Sequence, residues 1–315
     1  MLLLTLFFLL LCICILTHAQ ISLAYAALGL ELWFQKMIPT LLPFMIISGI
    51  MIRMKLTEKV AMIAYPVIGP LYKIHKNVCY AMLMGFLCGF PMGARVVDDL
   101  YLRQMITKRE AEFLLAFCNN IGPVYFCSFA LPLLKRELVL PYLFGMYGIP
   151  LLYGLVLRYT VFRDLSSQSG TYAAAPSLVS CEYHRPELSL GEKLLDEMND
   201  SINSSVQSML ILGGYMILFN LLNLIPHILS GQSFTLTAPL LEITGGLGML
   251  QDSRPLFSLL ALSFGGLSCI AQTYSCIGNS DLSIGSYILH KCILTLLNAV
   301  FYLCWFLILP ASFLR

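Results

Sequence analysis

The chain is a series of apolar blocks separated by short polar stretches. Apolar residues run consecutively inside each block and do not alternate with polar ones, which is typical of membrane helices and excludes an outer-membrane barrel. A helix needs about 20 residues to cross a bilayer, so the pattern predicts roughly eight to ten spanning or half-spanning helices. The blocks lie at residues 2–17, 21–34, 37–52, 60–72, 78–94, 111–134, 138–162, 206–229, 234–250, 255–273 and 284–313.

Several of these blocks are interrupted by helix-breaking residues, among them 37–52 by two prolines and 234–250 by three glycines. Block 78–94 carries three glycines and a proline, and block 255–273 carries two adjacent glycines. Glycine and proline weaken helices, and non-helical backbone at membrane depth is tolerated where it is buried in protein or lines a cavity. We therefore expect broken or re-entrant helices centred near residues 89–93 and 265–268.

One stretch, residues 163–205, is clearly polar. From Ser189 onward an apolar residue recurs at every fourth position, and Ser189 with Glu192 has the spacing of a capping box. The pattern predicts an amphipathic helix that lies on the membrane and leads into the next membrane helix. A cytosolic helix packed on its own loops is the alternative.

Composition excludes a soluble protein. Apolar residues make up 58% of the 315 residues, charged residues only 11%, and the mean hydropathy is +0.81. Soluble chains are about 25% charged, so 19 basic and 17 acidic residues are too few to cover a soluble surface of this size. The net charge of +2, without a long basic stripe, also argues against a nucleic-acid partner.

Basic residues set the expected orientation. Residues 53–76 carry five Lys or Arg against one acid, so the positive-inside rule places this loop in the cytoplasm and residues 18–36 outside. Segment 163–205 is assigned to the cytoplasm by the same rule. Before Lys36 the chain has no basic residue, so we interpret block 2–17 as an uncleaved membrane helix instead of a signal peptide.

The two halves of the chain show a weak internal repeat. Residues 89–95 and 266–272 share a glycine, a bulky apolar residue and an alanine at matching positions, and residues 44–47 resemble 215–218 at nearly the same offset. With the predicted orientation the halves enter from opposite sides, which is the inverted repeat of many secondary transporters; a chance match is the alternative. The predicted divisions are 1–31 (membrane helix and connector), 32–162 (first repeat), 163–205 (polar loop and amphipathic helix) and 206–315 (second repeat).

Segment 89–95 is the strongest candidate binding element. Gly89 and Gly93 let the backbone turn or approach a ligand closely, and Pro91 lacks an N–H and so frees a carbonyl one turn earlier. Arg95 is costly at membrane depth and is a functional candidate for that reason. Alternatively, Arg95 ends a helix at the interface by pairing with an acid three or four residues later.

Polar residues in other apolar runs form three further candidates. Asn119 and Asn120 precede a Gly-Pro pair and suit either a polar solute or a helix C-cap. Ser268 and Gln272 lie in a run of neutral hydrogen-bonding groups, for which bonding between helices is the alternative. Glu242, in Leu240-Leu241-Glu242-Ile243-Thr244, is a lone acid in an apolar run and a candidate ion or proton site, or else a loop-end carboxylate in water.

No enzyme signature is present. The chain has no Gly-x-Ser-x-Gly, His-Glu-x-x-His or P-loop sequence, and its eleven cysteines show no metal-ligand spacing. We therefore expect neither catalysis nor a metal or cofactor.

Taken together, these segments resemble the YlbJ-like sporulation membrane proteins of the nucleoside-recognition, or Gate-domain, group, over roughly residues 32–310. The residues that carry the resemblance are Gly89-Phe90-Pro91-Met92-Gly93-Ala94-Arg95, Asp99-Leu100-Tyr101, Ile106-Thr107-Lys108-Arg109-Glu110-Ala111-Glu112, Phe117-Cys118-Asn119-Asn120, Leu241-Glu242-Ile243-Thr244-Gly245-Gly246 and Phe264-Gly265-Gly266-Leu267-Ser268 with Gln272.

The resemblance implies an all-α, multi-pass protein of the cell membrane with two inverted repeats, each containing re-entrant half-helices as in concentrative nucleoside transporters. It also implies a role in spore formation, with dipicolinate uptake into the forespore as the transport task. Dipicolinate is a planar dianion that Arg95, Asn120 and half-helix N-termini could hold.

We therefore expect a transporter or channel-like carrier for a small polar, anionic organic solute, either dipicolinate or a nucleoside-like molecule. A non-transporting scaffold or signalling protein of sporulation is the alternative. The expected partners are the solute, the lipid bilayer and a coupling ion (H⁺ or Na⁺), and a homo-oligomer is left open. The expected solute-binding residues are Gly89, Pro91, Gly93, Arg95, Asn119, Asn120, Glu242, Thr244, Ser268 and Gln272.

Overall fold

The computed structural model describes residues 1–134, 136–165, 190–230, 236–250, 254–278 and 280–308. Every regular element in these ranges is a helix, which confirms the predicted all-α class. Five helices are long and apolar enough to cross a membrane, and three shorter apolar helices accompany them. The prediction of a multi-pass membrane protein is confirmed.

The first half of the chain forms nine helices among its described residues. They are α1 (Leu2–Thr17), α2 (Ala19–Arg53), α3 (Thr57–Ala61), α4 (Tyr65–Tyr72), α5 (Lys76–Cys88), α6 (Met92–Leu102), α7 (Lys108–Leu115), α8 (Pro123–Leu133) and α9 (Arg136–Tyr159).

The second half forms seven helices among its described residues. They are α10 (Leu190–Leu221), α11 (Leu224–Ser230), α12 (Ala238–Leu241), α13 (Ile243–Leu250), α14 (Pro255–Phe264), α15 (Gly266–Ile277) and α16 (Ile284–Ile308).

Two boundaries differ from the sequence pattern. The blocks at 21–34 and 37–52 form one helix, α2, because its prolines follow a wider π-helical turn, Trp33–Met37, and do not end the helix. The predicted amphipathic helix is not a separate element, since its polar turns from residue 190 are the start of the continuous helix α10, which runs on into the apolar part. Ser189, of the predicted capping box, lies outside the described residues.

Helices α2 and α10 pack side by side in opposite directions. Gly29 of α2 meets the backbone of Ile217, and nearer the other end of both helices Gly49 meets Ser201. In between, the Trp33 indole N–H donates to the Met209 carbonyl at 2.9 Å. A Cβ on Gly29 would lie 2.8 Å from backbone atoms of α10, so glycine is what allows this approach. This seam joins the two halves of the chain.

The polar loops gather at one end of the helices. Arg53, at the end of α2, forms ion pairs with Glu197 at 3.7 Å and Asp200 at 3.4 Å, near the start of α10. Arg109 pairs with Asp164 at 3.5 Å. Arg53 and the described residues 197–200, which the positive-inside rule assigns to the cytoplasm, thus lie at the same end of the molecule.

A small hydrogen-bonded cluster links the halves at this polar end. The Lys108 ammonium lies 2.8 Å from Asp281, and the Tyr101 hydroxyl donates to the same carboxylate at 2.7 Å. The hydrogen bond from Lys108, followed by that from Tyr101, lowers the pKa of Asp281 below its ordinary value of 3.8.

Acidification is expected to release this link. A lowered pKa means that the contribution to stability is present above the ordinary value of 3.8 and is lost as the pH falls through the folded-state value. The protection of the amides in residues 101–108, relative to their intrinsic exchange rates, should therefore fall below pH 4 in the native protein. Asp281→Asn should show the faster exchange already at neutral pH, with only a small change in global stability because both side chains are solvent-exposed. Equal exchange in both proteins at neutral pH would contradict the link.

Candidate functional site

The first predicted break is confirmed between α5 and α6. Helix α5 ends at Cys88, Gly89 has φ 75° and ψ −170°, and α6 begins at Met92. The Phe90 amide donates 2.7 Å to the Asn120 carbonyl, in the irregular stretch between α7 and α8. A Cβ on Gly89 would lie 2.2 Å from the Gly122 nitrogen. The two irregular stretches of the first half therefore lie directly against each other.

The second predicted break is confirmed between α14 and α15. Gly265 and Gly266 both have φ +82°, a left-handed conformation that favours glycine. The Cβ position of Gly265 lies 3.4 Å from the Phe90 ring. The breaks of the two halves thus meet.

A buried cavity lies where the two breaks meet. Its volume is about 20 Å³, which is room for about one water molecule. Most of its wall is apolar, and the polar side chains come from Glu242, Thr244 and Gln272. The lining residues include Met37, Leu41, Cys88, Phe90, Pro91, Ile121, Gly122, Tyr125, Met216, Glu242, Thr244, Gly265, Cys269 and Gln272.

Glu242 is buried between α12 and α13 and accepts three hydrogen bonds. The backbone N–H of Thr244 donates at 3.0 Å, that of Gly245 at 2.7 Å, and the Asn220 amide at 3.1 Å. Its carboxylate therefore caps the N-terminus of α13, where the helix dipole favours a negative charge. The residue is 2% exposed, so the alternative of a loop-end carboxylate in water is wrong.

Arg95 lies beside the main cavity, in a smaller one of about 10 Å³. Pro91 and Gln272 line both cavities and separate them. The Arg95 guanidinium donates to the Ser204 carbonyl at 3.1 Å, to the Ser204 hydroxyl at 3.1 Å and to the Ser208 hydroxyl. Arg95 is 9% exposed. It therefore connects α6 of the first half to α10 of the second.

The alternative reading of Arg95 as a helix-end anchor holds in part. Its Nε lies 3.7 Å from the Asp99 carboxylate, one turn along α6. The serine contacts on α10 are shorter and more numerous, so the main partner of Arg95 is the other half of the protein and not the neighbouring acids.

The two asparagines lie behind the cavity wall. The Asn119 amide donates to the Thr273 hydroxyl at 3.0 Å and so ties the break after α7 to α15. The Asn120 amide donates to the Phe117 carbonyl at 2.6 Å, which is a local capping contact. The contact of Asn120 agrees with the helix-end alternative, the contact of Asn119 joins two helices, and binding of a polar solute by this pair stays a prediction.

Lys291 is a candidate that the sequence analysis missed. It lies in α16, is 2% exposed, and donates to the Asn119 carbonyl at 3.4 Å and to the Asn120 side-chain oxygen at 3.3 Å. The signal was available, because Lys291 is the only Asp, Glu, Lys or Arg in residues 284–308.

The structure brings together four of the ten candidate residues at the main cavity. Arg95 lines the adjacent cavity, and Ser268 supports the wall by accepting a 2.8 Å hydrogen bond from Gln272. The remaining four pack at the breaks and do not line the main cavity. The cavity residues are Pro91, Glu242, Thr244 and Gln272, and the packing residues are Gly89, Gly93, Asn119 and Asn120.

Comparison with known proteins gives one informative relative. The chain is 26% identical to the sporulation integral membrane protein YlbJ of Bacillus subtilis (strain 168), over 94% of this chain and 80% of that protein. No protein-family model matches the chain, and no solved structure matches it. The similarity covers both helix breaks and nearly all of the membrane helices, and together with the all-α architecture it shows that this multi-pass membrane protein is similar to YlbJ along almost its whole length.

Proposed function

We propose that this protein carries a small polar, anionic organic solute across a membrane and binds it in the cavity between the two helix breaks. One observation carries the proposal: an irregular backbone segment from each half of the chain meets its counterpart at a buried cavity with polar side chains in its wall. Broken helices that meet at an internal site are the usual design of secondary transporters.

The charges around the cavity favour an anion. Helices α6 and α15 both begin at the breaks, and a helix N-terminus carries a partial positive charge. The Arg95 guanidinium lies one cavity away, and arginine can hold a carboxylate with two parallel hydrogen bonds. The negative charge of Glu242 is directed at three N–H donors, which reduces its repulsion of an anionic solute.

The described conformation is a closed one. A cavity with room for about one water molecule does not admit an aromatic dicarboxylate, so transport requires the walls to separate. The Arg95 contacts with α10 close the gap between the halves on the side of the smaller cavity. When the solute enters, the Arg95 guanidinium would release its hydrogen bonds to α10 and bind the solute instead.

The arrangement of the halves supports the proposed inverted repeat. Each half has a long helix, α2 or α10, followed by a helix that is broken at glycine. The two long helices pack in opposite directions, as a two-fold axis in the membrane plane would require.

Sporulation is the proposed setting, because the name of the B. subtilis relative states it. Dipicolinate is then the first solute to test, and the forespore membrane is the proposed location. The decisive experiment measures uptake of dipicolinate and of nucleosides into proteoliposomes that contain the purified protein. Uptake above that of empty liposomes is the expected result. No uptake of either solute by correctly folded protein would favour the scaffold alternative.

Arg95→Lys is expected to reduce uptake of a dicarboxylate by at least about tenfold, because a lysine cannot reproduce the two parallel hydrogen bonds of a guanidinium. Uptake of a neutral nucleoside should hardly change. Arg109→Lys is the matched control, since Arg109 is exposed and pairs only at the polar end. If the Arg95 variant is present at the normal protein level and takes up the dicarboxylate as fast as the native protein, Arg95 does not bind the solute.

A further inference from the structure

Lys291 is a buried cation without a carboxylate partner. It lies two turns into α16, a 25-residue apolar helix, and is 2% exposed. The ion pairs between described residues do not include it. An intramembrane cation is costly and marks a functional site by default. Lys291 therefore needs an explanation that the proposed solute cavity does not supply.

Neutral oxygens take the place of a carboxylate. The ammonium donates to the Asn119 carbonyl at 3.4 Å and to the Asn120 side-chain oxygen at 3.3 Å. It also lies 5.8 Å from the centre of the Phe90 ring, within the range of a cation–π contact. Both oxygens belong to the irregular stretch that follows the end of α7 at Leu115.

Neutral oxygens of this kind also bind monovalent metal cations in membrane proteins. Unwound carbonyls and the C-terminal ends of half-helices coordinate Na⁺ in transporters with broken helices. The same fold uses a side-chain cation in this way elsewhere. The Arg158 guanidinium is buried against the carbonyls of Tyr72, the last residue of α4, and Lys73, the residue after it, at 2.6 and 3.0 Å.

We propose that the Lys291 ammonium is a tethered cation that fills a monovalent-cation site formed by the Asn119 carbonyl and the Asn120 side-chain oxygen. The site holds the break after α7 against α16 without a dissolved ion. When the ammonium is removed, the site accepts Na⁺ or K⁺ from solution. One consequence rests on the proposed transport function: solute uptake needs no Na⁺ bound at this break.

The test uses thermal unfolding of the purified protein in detergent, with Na⁺, K⁺ or choline as the cation at constant ionic strength. The native protein should have the same Tm in all three. Lys291→Met keeps the apolar stem and lacks the ammonium, so its Tm should be lowest in choline. A cation at about 100 times its Kd should raise the Tm of this variant by about 5 °C.

Lys108→Met is the matched control, because Lys108 is an exposed lysine that pairs with Asp281. Its Tm should not depend on which cation is present. If Lys291→Met accumulates only when it is purified in Na⁺ or K⁺, the proposal is supported. The proposal would be overturned if Lys291→Met had the same Tm, or were equally unfolded, in all three cations. It would also be overturned if the native protein reached its full Tm only in Na⁺. None of these outcomes depends on uptake, so a protein that fails to transport can still pass this test.

Discussion

Gly89→Ala is expected to abolish the folded protein in detergent. Gly89 has φ 75° and ψ −170°, a conformation that is essentially restricted to glycine and costs other residues about 1–3 kcal/mol. A Cβ there would also lie 2.2 Å from the Gly122 nitrogen and 2.7 Å from the Asn120 carbonyl oxygen. Both atoms are backbone and cannot move aside, so overpacking adds about 1–3 kcal/mol more.

The measurement is the Tm together with the monodisperse fraction on size-exclusion chromatography. Gly214→Ala is the control, because Gly214 lies inside α10 with no heavy atom within 4 Å of its Cβ position. Alanine favours a helix interior over glycine by about 1 kcal/mol, so this variant should be as stable as the native protein or slightly more stable. A Tm for the Gly89 variant equal to that of the control would show that the two breaks do not touch as described.

Glu242→Gln is expected to give a folded protein that carries solute poorly. The carboxylate has two acceptor oxygens for three N–H donors, whereas a glutamine side chain has one acceptor and turns an NH₂ group toward a donor. A buried donor without a partner costs about 1–3 kcal/mol, which a protein of ordinary stability tolerates. The start of α13, which borders the cavity, should therefore be displaced, and uptake should fall by about tenfold or more.

Glu242→Leu should be the more damaging variant, because it removes all three acceptor contacts. Glu58→Gln is the control at an exposed carboxylate, for which a change within about 0.5 kcal/mol is expected. Uptake and Tm are measured on the same preparations, so that loss of carriage is separated from loss of fold. Full uptake by the Gln variant at every pH would remove Glu242 from the mechanism.

The helix breaks could be predicted from sequence because their causes are local. The glycines and the proline near Gly89, and the pair Gly265–Gly266, disturb the backbone wherever they occur in a helix. The capping box of Thr107 and Glu110, in which both reciprocal hydrogen bonds are present, has the same kind of local cause. These features needed only a few adjacent residues to be recognised.

The partners of the site residues could not be predicted in this way. Arg95 bonds to Ser204, which is 109 residues away, and nothing in the short-range pattern distinguishes that serine from an acid one turn along α6. The same limit applies to the hydrogen bond between Glu242 and Asn220, which depends on how α10 packs on α13. Lys291 differs, since the rule that singled out Glu242 applies equally to it.

The seam between α2 and α10 has a consequence for how the protein is made. Ser201 and the Ile46 carbonyl, which bond across it at 2.7 Å, are 155 residues apart in the chain, and Trp33 and Met209 are 176 apart. At a synthesis rate of about 5–20 residues per second, α2 leaves the ribosome roughly 10–30 s before α10. During that interval its glycine-lined face has no helix to cover it. The insertion machinery or lipid must therefore cover this face of α2 until the second half has been made. A chain that stops before residue 190 would leave the face exposed to the cell's quality control.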